Sequence, residues 1–358
     1  MVTPQQASEI IEAAFRRQVQ NDKKVNNAFL LVRSEQLGVN LNIAEGQTEG
    51  KPSHPQQPNY MASVGKLFTS TIIGLLVEEG KLDFEDTIEK YLDEELMNGL
   101  HVYKGKDYSG EIRIHHLLNQ SSGLYDVFWP FVDKLLKDPE MNMTPIEAIK
   151  WGKAYMKPRF RPGRKHYYSD TNYYLLGLII EQVLQKQFHE VLHQYIYLPL
   201  GMKNAFMLGY SQPEKKSEHP MAGFFLNGVD FSQIPGYPGL DYTGGGVVAP
   251  LDELHIFMKS LVNFHLVKEP TLNRMLTDDF RRGIGIRYGY AIWKFVTIPL
   301  IMPSKFNCWG CVGATGAFMF YHPRTDSYII GNFNDVSYMS KALQFMLMKI
   351  VKTMNKID

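Results

Sequence analysis

The apolar positions at the start of the chain predict one helix followed by two paired strands. Five apolar residues recur at helical spacing between Ser8 and Val19: Ile10, Ile11, Ala14, Phe15 and Val19. A short apolar run then covers residues 28–32, and apolar and polar residues alternate over residues 39–43, a pattern typical of strands. A helix laid on an antiparallel sheet would bury the apolar faces of both.

A second helix is predicted from about Ser63 to Gly80. Its body, residues 67–77, contains no charged side chain, so it should run through the centre of the fold. Helical patterns dominate from there to about residue 200, over Glu85–Leu92, Ile114–Leu118 and Thr144–Met156. A further helix follows Tyr168, and either Ser169 or Asp170 could cap it.

Strand patterns return near the end of the chain, over residues 290–296, 317–321 and 328–333, before a closing helix over residues 339–354. The sheet is therefore built from both ends of the chain. We predict an α+β fold, with an antiparallel sheet flanked by the N- and C-terminal helices. The predicted division is a sheet subdomain of residues 1–80 and 240–358 and a mainly helical subdomain of residues 81–239, with the active site at their interface.

Composition narrows the function classes. Hydrophobic residues make up 44% of the 358 residues, enough for a sizeable core, and Lys+Arg (38) nearly balances Asp+Glu (37). We therefore expect no nucleic-acid or membrane partner. No apolar run could span a bilayer and no secretory signal is visible, which predicts a cytoplasmic protein unless a leader was removed. Without a coenzyme-type glycine fingerprint or metal-ligand spacing among the histidines, we expect no cofactor and no metal.

The candidate chemistry begins with Ser63 and Lys66, which are three residues apart and so share one helical face. A lysine kept in a water-poor site can take the serine proton, and the helix N-terminus favours an anion at the serine. By itself this spacing is a weak signal, because an N-cap serine followed by a solvated lysine produces the same pattern.

Further motifs give the pair its context. Leu117–Leu124 forms a Ser-Gly-Leu loop, Tyr168-Ser169-Asp170 follows a Pro-Gly turn, and Gly310–Ala317 is a glycine-rich stretch between strands. In order and spacing these stretches resemble, over nearly the whole chain, the serine hydrolases grouped with class C β-lactamases, penicillin-binding D-alanyl-D-alanine peptidases and related esterases. Ser63–Lys66 matches the Ser-x-x-Lys motif of that family, Tyr168–Asp170 its Tyr-x-Asn, and Gly310–Ala317 the site of its Lys-Thr-Gly.

The resemblance implies a β-lactamase/transpeptidase-like fold and a covalent mechanism acting on a small acyl substrate. Ser63 would attack a carbonyl and form an acyl-enzyme that water cleaves, while Lys66 and Tyr168 share the proton handling. The backbone N–H groups of Ser63 and Ala314 would form the oxyanion hole. Gly313 belongs to the third motif, and relatives place substrate contacts near the positions matched here by Tyr125 and Asp126.

The first departure from the family is Asp170, which replaces the usual asparagine. A carboxylate near Lys66 would keep the lysine protonated, which leaves Tyr168 as the hypothetical base. Lys66 favours the phenolate, but Asp170 raises the pKa of the same tyrosine, so the net effect stays open. The alternative is that Asp170 only caps its helix.

The second departure is in the third motif, where Cys311 and Val312 replace a cation and a hydroxyl that suit a substrate carboxylate. We therefore expect hydrolysis of uncharged esters or amides, with Cys311 lying in the cleft. β-Lactamase or D,D-carboxypeptidase activity is the alternative, as is a degenerate member that binds a ligand without turnover. Cys308 and Cys311 lie three apart on a predicted strand and should face opposite ways, which disfavours a disulfide.

Overall fold

The computed structural model describes residues 1–357, and its largest element is a nine-stranded antiparallel sheet. In chain order the strands are β1 (Asn27–Ser34), β2 (Val39–Thr48), β3 (Lys51–Pro52), β4 (Phe280–Gly283), β5 (Ile286–Tyr288), β6 (Trp293–Phe295), β7 (Cys308–Val312), β8 (Phe318–His322) and β9 (Ser327–Asn332). They run across the sheet in the order β4-β5-β6-β7-β8-β9-β1-β2-β3. Strands from both ends of the chain thus meet at β1 and β9, as the sequence predicts.

Eight longer helices surround the sheet: α1 (Pro4–Gln20), α2 (Gly65–Glu78), α3 (Phe128–Leu135), α4 (Pro145–Tyr155), α5 (Asp170–Leu184), α6 (Tyr237–Gly245), α7 (Leu251–Val262) and α8 (Glu269–Thr277). The closing segment runs through Met339–Phe345, Met346–Val351 and Lys352–Met354. Shorter helices lie at Glu94–Met97, Ile114–Leu118, Phe188–Leu192, His193–Tyr197 and Leu198–Leu200. Within residues 1–357, none of the helices combines the length and the hydropathy that a membrane crossing requires.

The two faces of the sheet bury two separate cores. Successive side chains of a strand point to opposite faces, and β1 shows this alternation directly. Ala28, Leu30 and Val32 pack with α1 and the closing helical segment, whereas Phe29 and Leu31 pack with the core that contains α2. The N- and C-terminal helices therefore cover one face, and α2 with the inserted helices covers the other.

Helix α2 lies at the centre of the second core, as its sequence predicts. Every residue from Gly65 to Gly74 is buried, and the ring of Phe68 stacks on that of Phe257 with a centroid distance of 3.7 Å. Gly80 follows the helix with φ of +69°, a left-handed conformation that glycine adopts easily, so it ends the helix as expected.

The predicted helix over Glu85–Leu92 is wrong. Only a short 3-10 turn, Ile88–Lys90, forms there. The N–H of Ile88 donates to the carbonyl of Ile112, and the N–H of Ile114 donates to that of Asp86. Because these backbone groups pair with a distant segment, they cannot complete an α-helical ladder.

We expect Ile11→Ala to lower the free energy of unfolding by about 2–5 kcal/mol, because it removes a buried side chain and leaves a cavity. Ile11 is 0% exposed in the core beneath the sheet, whereas its neighbour Ile10 is 47% exposed. Chemical denaturation should show an effect below about 1 kcal/mol for Ile10→Ala. Equal losses in the two variants would contradict this placement of α1.

Candidate active site

Ser63 sits in a strained turn immediately before α2. The 3-10 turn Ala62–Val64 leads directly into the helix, and Ala62 has φ of +47°, a left-handed conformation unusual for a residue with a side chain. The N–H of Met61 is held by the carbonyl of Val247 at 3.1 Å. Ser63 itself is only partly buried, so its hydroxyl is presented to the neighbouring cavity.

Lys66 lies one turn later with its ammonium group completely buried. Its Nζ donates to Ser63 Oγ at 2.9 Å, to the carbonyl of Gly244 at 2.5 Å and to the carboxylate of Asp170. An ammonium group has three N–H donors, so this set of acceptors satisfies it fully. Burial lowers the pKa of Lys66, but the charges of Asp170, Tyr168 and Asp241 and the hydrogen bond to Asp170 together outweigh burial, and the net pKa is raised.

Tyr168 approaches the same pair from the loop before α5. The Nζ of Lys66 lies 5.2 Å from the centroid of its ring, and the tyrosine lines the cavity beside Ser63. Burial raises the pKa of the Tyr168 phenol and Asp170 adds to it, whereas the Lys66 ammonium and a hydrogen bond with Ser63 lower it. The net pKa is raised because burial is the largest of these effects; of the two charges, Lys66 lowers the pKa of Tyr168 more than Asp170 raises it.

Asp170 is the first residue of α5 and pairs with Lys66 at only 8% side-chain exposure. Neither Asp170 nor Ser169 caps the helix with its side chain, because the Ser169 hydroxyl donates to the carbonyl of Tyr125 instead. The interpretation of Asp170 as a cap alone is therefore wrong.

The end of β7 closes the cavity opposite Tyr168. A Cβ on Gly313 would lie 2.5 Å from the carbonyl oxygen of Met61, so only glycine lets this strand approach the Ser63 turn so closely. Ala314 then lines the cavity together with Ser63. Ser63 and Ala314, the two residues of the predicted oxyanion hole, thus line the same cavity.

Cys311 lies behind Ser63 rather than in the cavity wall, where the sequence led us to expect it. It is 1% exposed, and its Sγ donates to the carbonyl of Ser63 at 3.2 Å. The alternation of β7 turns Cys311 toward the core that contains α2 and turns Cys308 toward the other core. The two thiols are both free and face opposite sides, as predicted.

Tyr125 and Asp126 lie outside the residues that line the cavity. Tyr125 is 1% exposed, and its hydroxyl donates to the carbonyl of Ile149 on α4. Asp126 accepts the backbone N–H of Asp170 at 3.0 Å, which fixes the start of α5. Burial raises the pKa of Asp126 to about 7. Both residues support the loop around Asp170 instead of contacting the cavity.

The cavity beside Ser63 has a volume of about 170 Å³ and walls dominated by aromatic rings: Tyr60, Phe128, Trp129, Phe224, Phe225, Phe231, Tyr237 and Trp293. Two charged residues that the sequence analysis missed also line it, Arg282 on β4 and Asp241 on α6. The guanidinium of Arg282 lies 4.2 Å from the ring centroid of Trp293 and 5.1 Å from that of Tyr168. The sequence around Arg282 and Asp241 contains no motif that would have identified either residue as part of the site.

No group of three or more potential metal ligands comes together among residues 1–357. At the candidate site a buried amine and a phenol lie beside the hydroxyl of Ser63. The serine is open to an apolar space, an arrangement suited to nucleophilic attack on a carbonyl carbon.

Comparisons with known proteins agree with this geometry. A family model described as Beta-lactamase matches residues 12–350. A putative D-alanyl-D-alanine carboxypeptidase from Salmonella agona (strain SL483) is 34% identical over 164 residues, which cover 43% of this chain and 36% of the relative. The chain thus spans about a third of the length of that relative.

Two solved structures share the fold over nearly the whole chain. The D-stereospecific amidohydrolase from a Streptomyces species has a TM-score of 0.77 at 22% identity, covering 94% of this chain and 97% of its own. The D-amino acid amidase from Ochrobactrum anthropi SV3, solved with L-phenylalanine amide, has a TM-score of 0.79 at 18% identity, covering 98% and 99%.

The chain belongs to the Beta-lactamase family of serine hydrolases. This confirms the family and the α+β, β-lactamase/transpeptidase-like fold predicted from the three motifs. The family match covers all of those motifs, because it extends from residue 12 to residue 350.

We expect Asp170→Asn to shift the rising limb of the pH–rate profile to lower pH, on the order of one unit. The carboxylate raises the pKa of both Lys66 and Tyr168, so removing its charge lets either group release its proton earlier. The profile of kcat/KM against pH checks this. The control is Glu253→Gln, which neutralises a buried carboxylate of α7 outside the cavity lining and should leave the rising limb in place. A rising limb that does not move in Asp170→Asn would contradict the electrostatic role of Asp170.

Proposed function

We propose that this protein is a serine hydrolase that forms an acyl-enzyme on Ser63 and acts on small esters or amides. The observation that carries the proposal is the 2.9 Å hydrogen bond between Lys66 and Ser63 in the wall of an aromatic cavity. A serine and a buried lysine of one helical turn meet there with a tyrosine from a distant loop, and a solvated surface lysine would not need such an arrangement.

In the proposed reaction the Ser63 oxygen attacks the carbonyl carbon and its proton passes to Tyr168. Lys66 cannot take that proton in this arrangement, because its three N–H groups all donate. The ammonium instead stabilises the ionised phenol, which is the minor form at neutral pH because the pKa of Tyr168 is raised. The proton then goes to the leaving alcohol or amine, and a water molecule hydrolyses the ester formed on Ser63.

The oxyanion that forms on the substrate would be stabilised in the cavity by the backbone N–H groups of Ser63 and Ala314. Losing one such donor typically reduces turnover about a hundredfold or more. Gly313 supports this role, because its lack of a side chain brings the end of β7 against the Ser63 turn.

The substrate size follows from the cavity. A volume of about 170 Å³ is close to that of an apolar cavity of roughly 150 Å³ that holds one benzene molecule. The aromatic walls and the absence of a cation at Cys311 favour acyl groups without the carboxylate of penicillins and peptide C-termini.

The cytoplasmic location and the two-subdomain division expected from the sequence remain predictions.

An active-site serine probe tests the proposal. A fluorophosphonate should add to the chain once, intact mass should show the adduct, and Ser63→Ala should abolish it. Ser70→Ala is the control, because Ser70 is a buried serine of the same helix that hydrogen-bonds Tyr173 and should not affect labelling. Labelling that survives in Ser63→Ala, or no labelling of the parent protein, would favour a member that binds without turnover.

A second candidate, hydrolysis of carboxylate-bearing β-lactams or D-alanyl-D-alanine ends, is favoured by Arg282. This cation lines the cavity, and among residues 1–357 no carboxylate lies within 4.0 Å of it. An arginine without an anionic partner is suited to bind a substrate carboxylate. Arg282 on β4 would then take the role of the cation that the family motif has at the position of Cys311 or Val312 on β7.

Nitrocefin, which carries a carboxylate, and 4-nitrophenyl acetate, which does not, separate the two candidates. The leading proposal expects faster turnover of the ester and the same ester rate in Arg282→Ala. The second candidate expects faster turnover of nitrocefin, with kcat/KM reduced at least tenfold in Arg282→Ala. Arg281→Ala, which changes the exposed neighbour, is the control. A loss of equal size on both substrates would show that Arg282 does not select for the anion.

A further inference from the structure

Asp241 is a buried carboxylate that lines the cavity without a cationic partner. It is 3% exposed, and Tyr60 donates a hydrogen bond to its Oδ2. No lysine, arginine or histidine among residues 1–357 lies within 4.0 Å of it. Burying a charge without a partner is unfavourable, so the carboxylate needs an explanation that packing alone does not give.

Lys66 influences Asp241 through its charge but forms no ion pair with it. The lysine donates to the carbonyl of Gly244 on α6 and not to Asp241. Its other two N–H groups are taken by Ser63 and Asp170. The charge of Lys66 lowers the pKa of Asp241, but the lysine pairs directly with Asp170, so Asp241 has no direct cationic partner.

The backbone around Asp241 is shaped to admit the carboxylate. Helix α6 is broken at Tyr242, which has φ of +31° and ψ of −124°. A Cβ on Gly245 would lie 2.4 Å from Asp241 Oδ2, so a residue with a side chain there would displace the acid. Strained backbone and a close approach of this kind are found where a fold must hold a functional group in one place.

Four aromatic rings that pack against one another line the same cavity as the carboxylate, and the hydroxyl of one of them, Tyr60, donates to it. Tyr60 stacks on Phe224 with centroids 4.2 Å apart, Tyr237 lies 5.3 Å from Phe224, and Phe231 lies 5.4 Å from Tyr237. The Tyr237 hydroxyl is also 2.7 Å from that of Tyr60. Aromatic faces next to a carboxylate attract a cation, whereas they would repel an anionic group.

We propose that Asp241 and the rings of Tyr60, Phe224, Phe231 and Tyr237 bind the ammonium group of a small amine-bearing ester or amide. This deepens the proposed function and rests on it for turnover, since the carbonyl of the same molecule would face Ser63. Asp241 and Ser63 both line one cavity of about 170 Å³, so a small molecule that fills the cavity contacts both residues.

The protonation of Asp241 supports this assignment. Burial raises its pKa to about 7, although Lys66 and the hydrogen bond from Tyr60 lower it and Asp170 raises it further. An arriving ammonium group would supply the missing positive charge and favour the ionised carboxylate. The inference keeps the expected ester or amide without a carboxylate, but it replaces the expected uncharged substrate with one that carries a positive charge.

Binding is measured without turnover in the Ser63→Ala protein, by calorimetric titration at pH 7.5. Alaninamide carries the ammonium group, and propionamide has the same carbon chain without it. We expect alaninamide to bind at least tenfold more tightly and Asp241→Asn to reduce that ratio to below threefold. Glu253→Gln, the buried-carboxylate control, should keep it. Equal binding of the two amides, or a ratio that survives Asp241→Asn, would overturn the proposal.

A second variant covers the case in which Asp241→Asn does not fold. Phe231→Leu keeps the carboxylate and removes one ring, so alaninamide binding should weaken about threefold or more while propionamide binding stays constant. A proportional loss for both amides would contradict the ammonium site. Failure of the fluorophosphonate to label Ser63 would contradict the proposed hydrolase function. The ratio of alaninamide to propionamide binding could still be measured, so the two proposals can fail separately.

Discussion

The buried ammonium of Lys66 is the interaction on which the rest of the structure depends. Removing an ammonium group from water is unfavourable by several kcal/mol unless hydrogen bonds and an opposite charge replace the solvent. Here the replacements come from Ser63 in the same turn, from Asp170, 104 residues away, and from Gly244, 178 residues away. The hydrogen bonds of this one cation thus hold α2, α5 and α6 together. Tyr168 lies at the site because it precedes Asp170 by only two residues.

The same constraint decides how the proton can move. A lysine acts as a base only when it has a lone pair, and this one donates all of its N–H groups. Asp170 strengthens that state by raising the pKa of Lys66. In the proposed reaction this carboxylate therefore shifts the proton-accepting role toward Tyr168, whose own pKa is raised by burial.

The sequence predicted the parts of the site that lie within one turn or one loop. Ser63 and Lys66 are neighbours on a helix, and the tyrosine motif opens the next buried helix, so local spacing was sufficient. Arg282 and Asp241 could not be found in this way, because each reaches the cavity through long-range packing of β4 and α6. Cys311 was expected in the cleft, but which face a strand residue occupies depends on the register of the sheet. Here Cys311 pairs with Met319, and both side chains belong to the core around α2.

In the proposed function, the residues of this cavity that determine reactivity differ from those that determine substrate selectivity. Lys66 and Asp170 compensate each other, so the groups proposed to act on the carbonyl add little net charge to the space around it. Arg282 and Asp241 have no such partners among residues 1–357, and each faces the cavity from its own side of the fold. Electrostatic complementarity to a ligand must then come from these two residues, because aromatic walls discriminate shape and sign but supply no full charge. A change of substrate could therefore arise by altering Arg282 or Asp241 while the serine, the lysine and the tyrosine stay as they are.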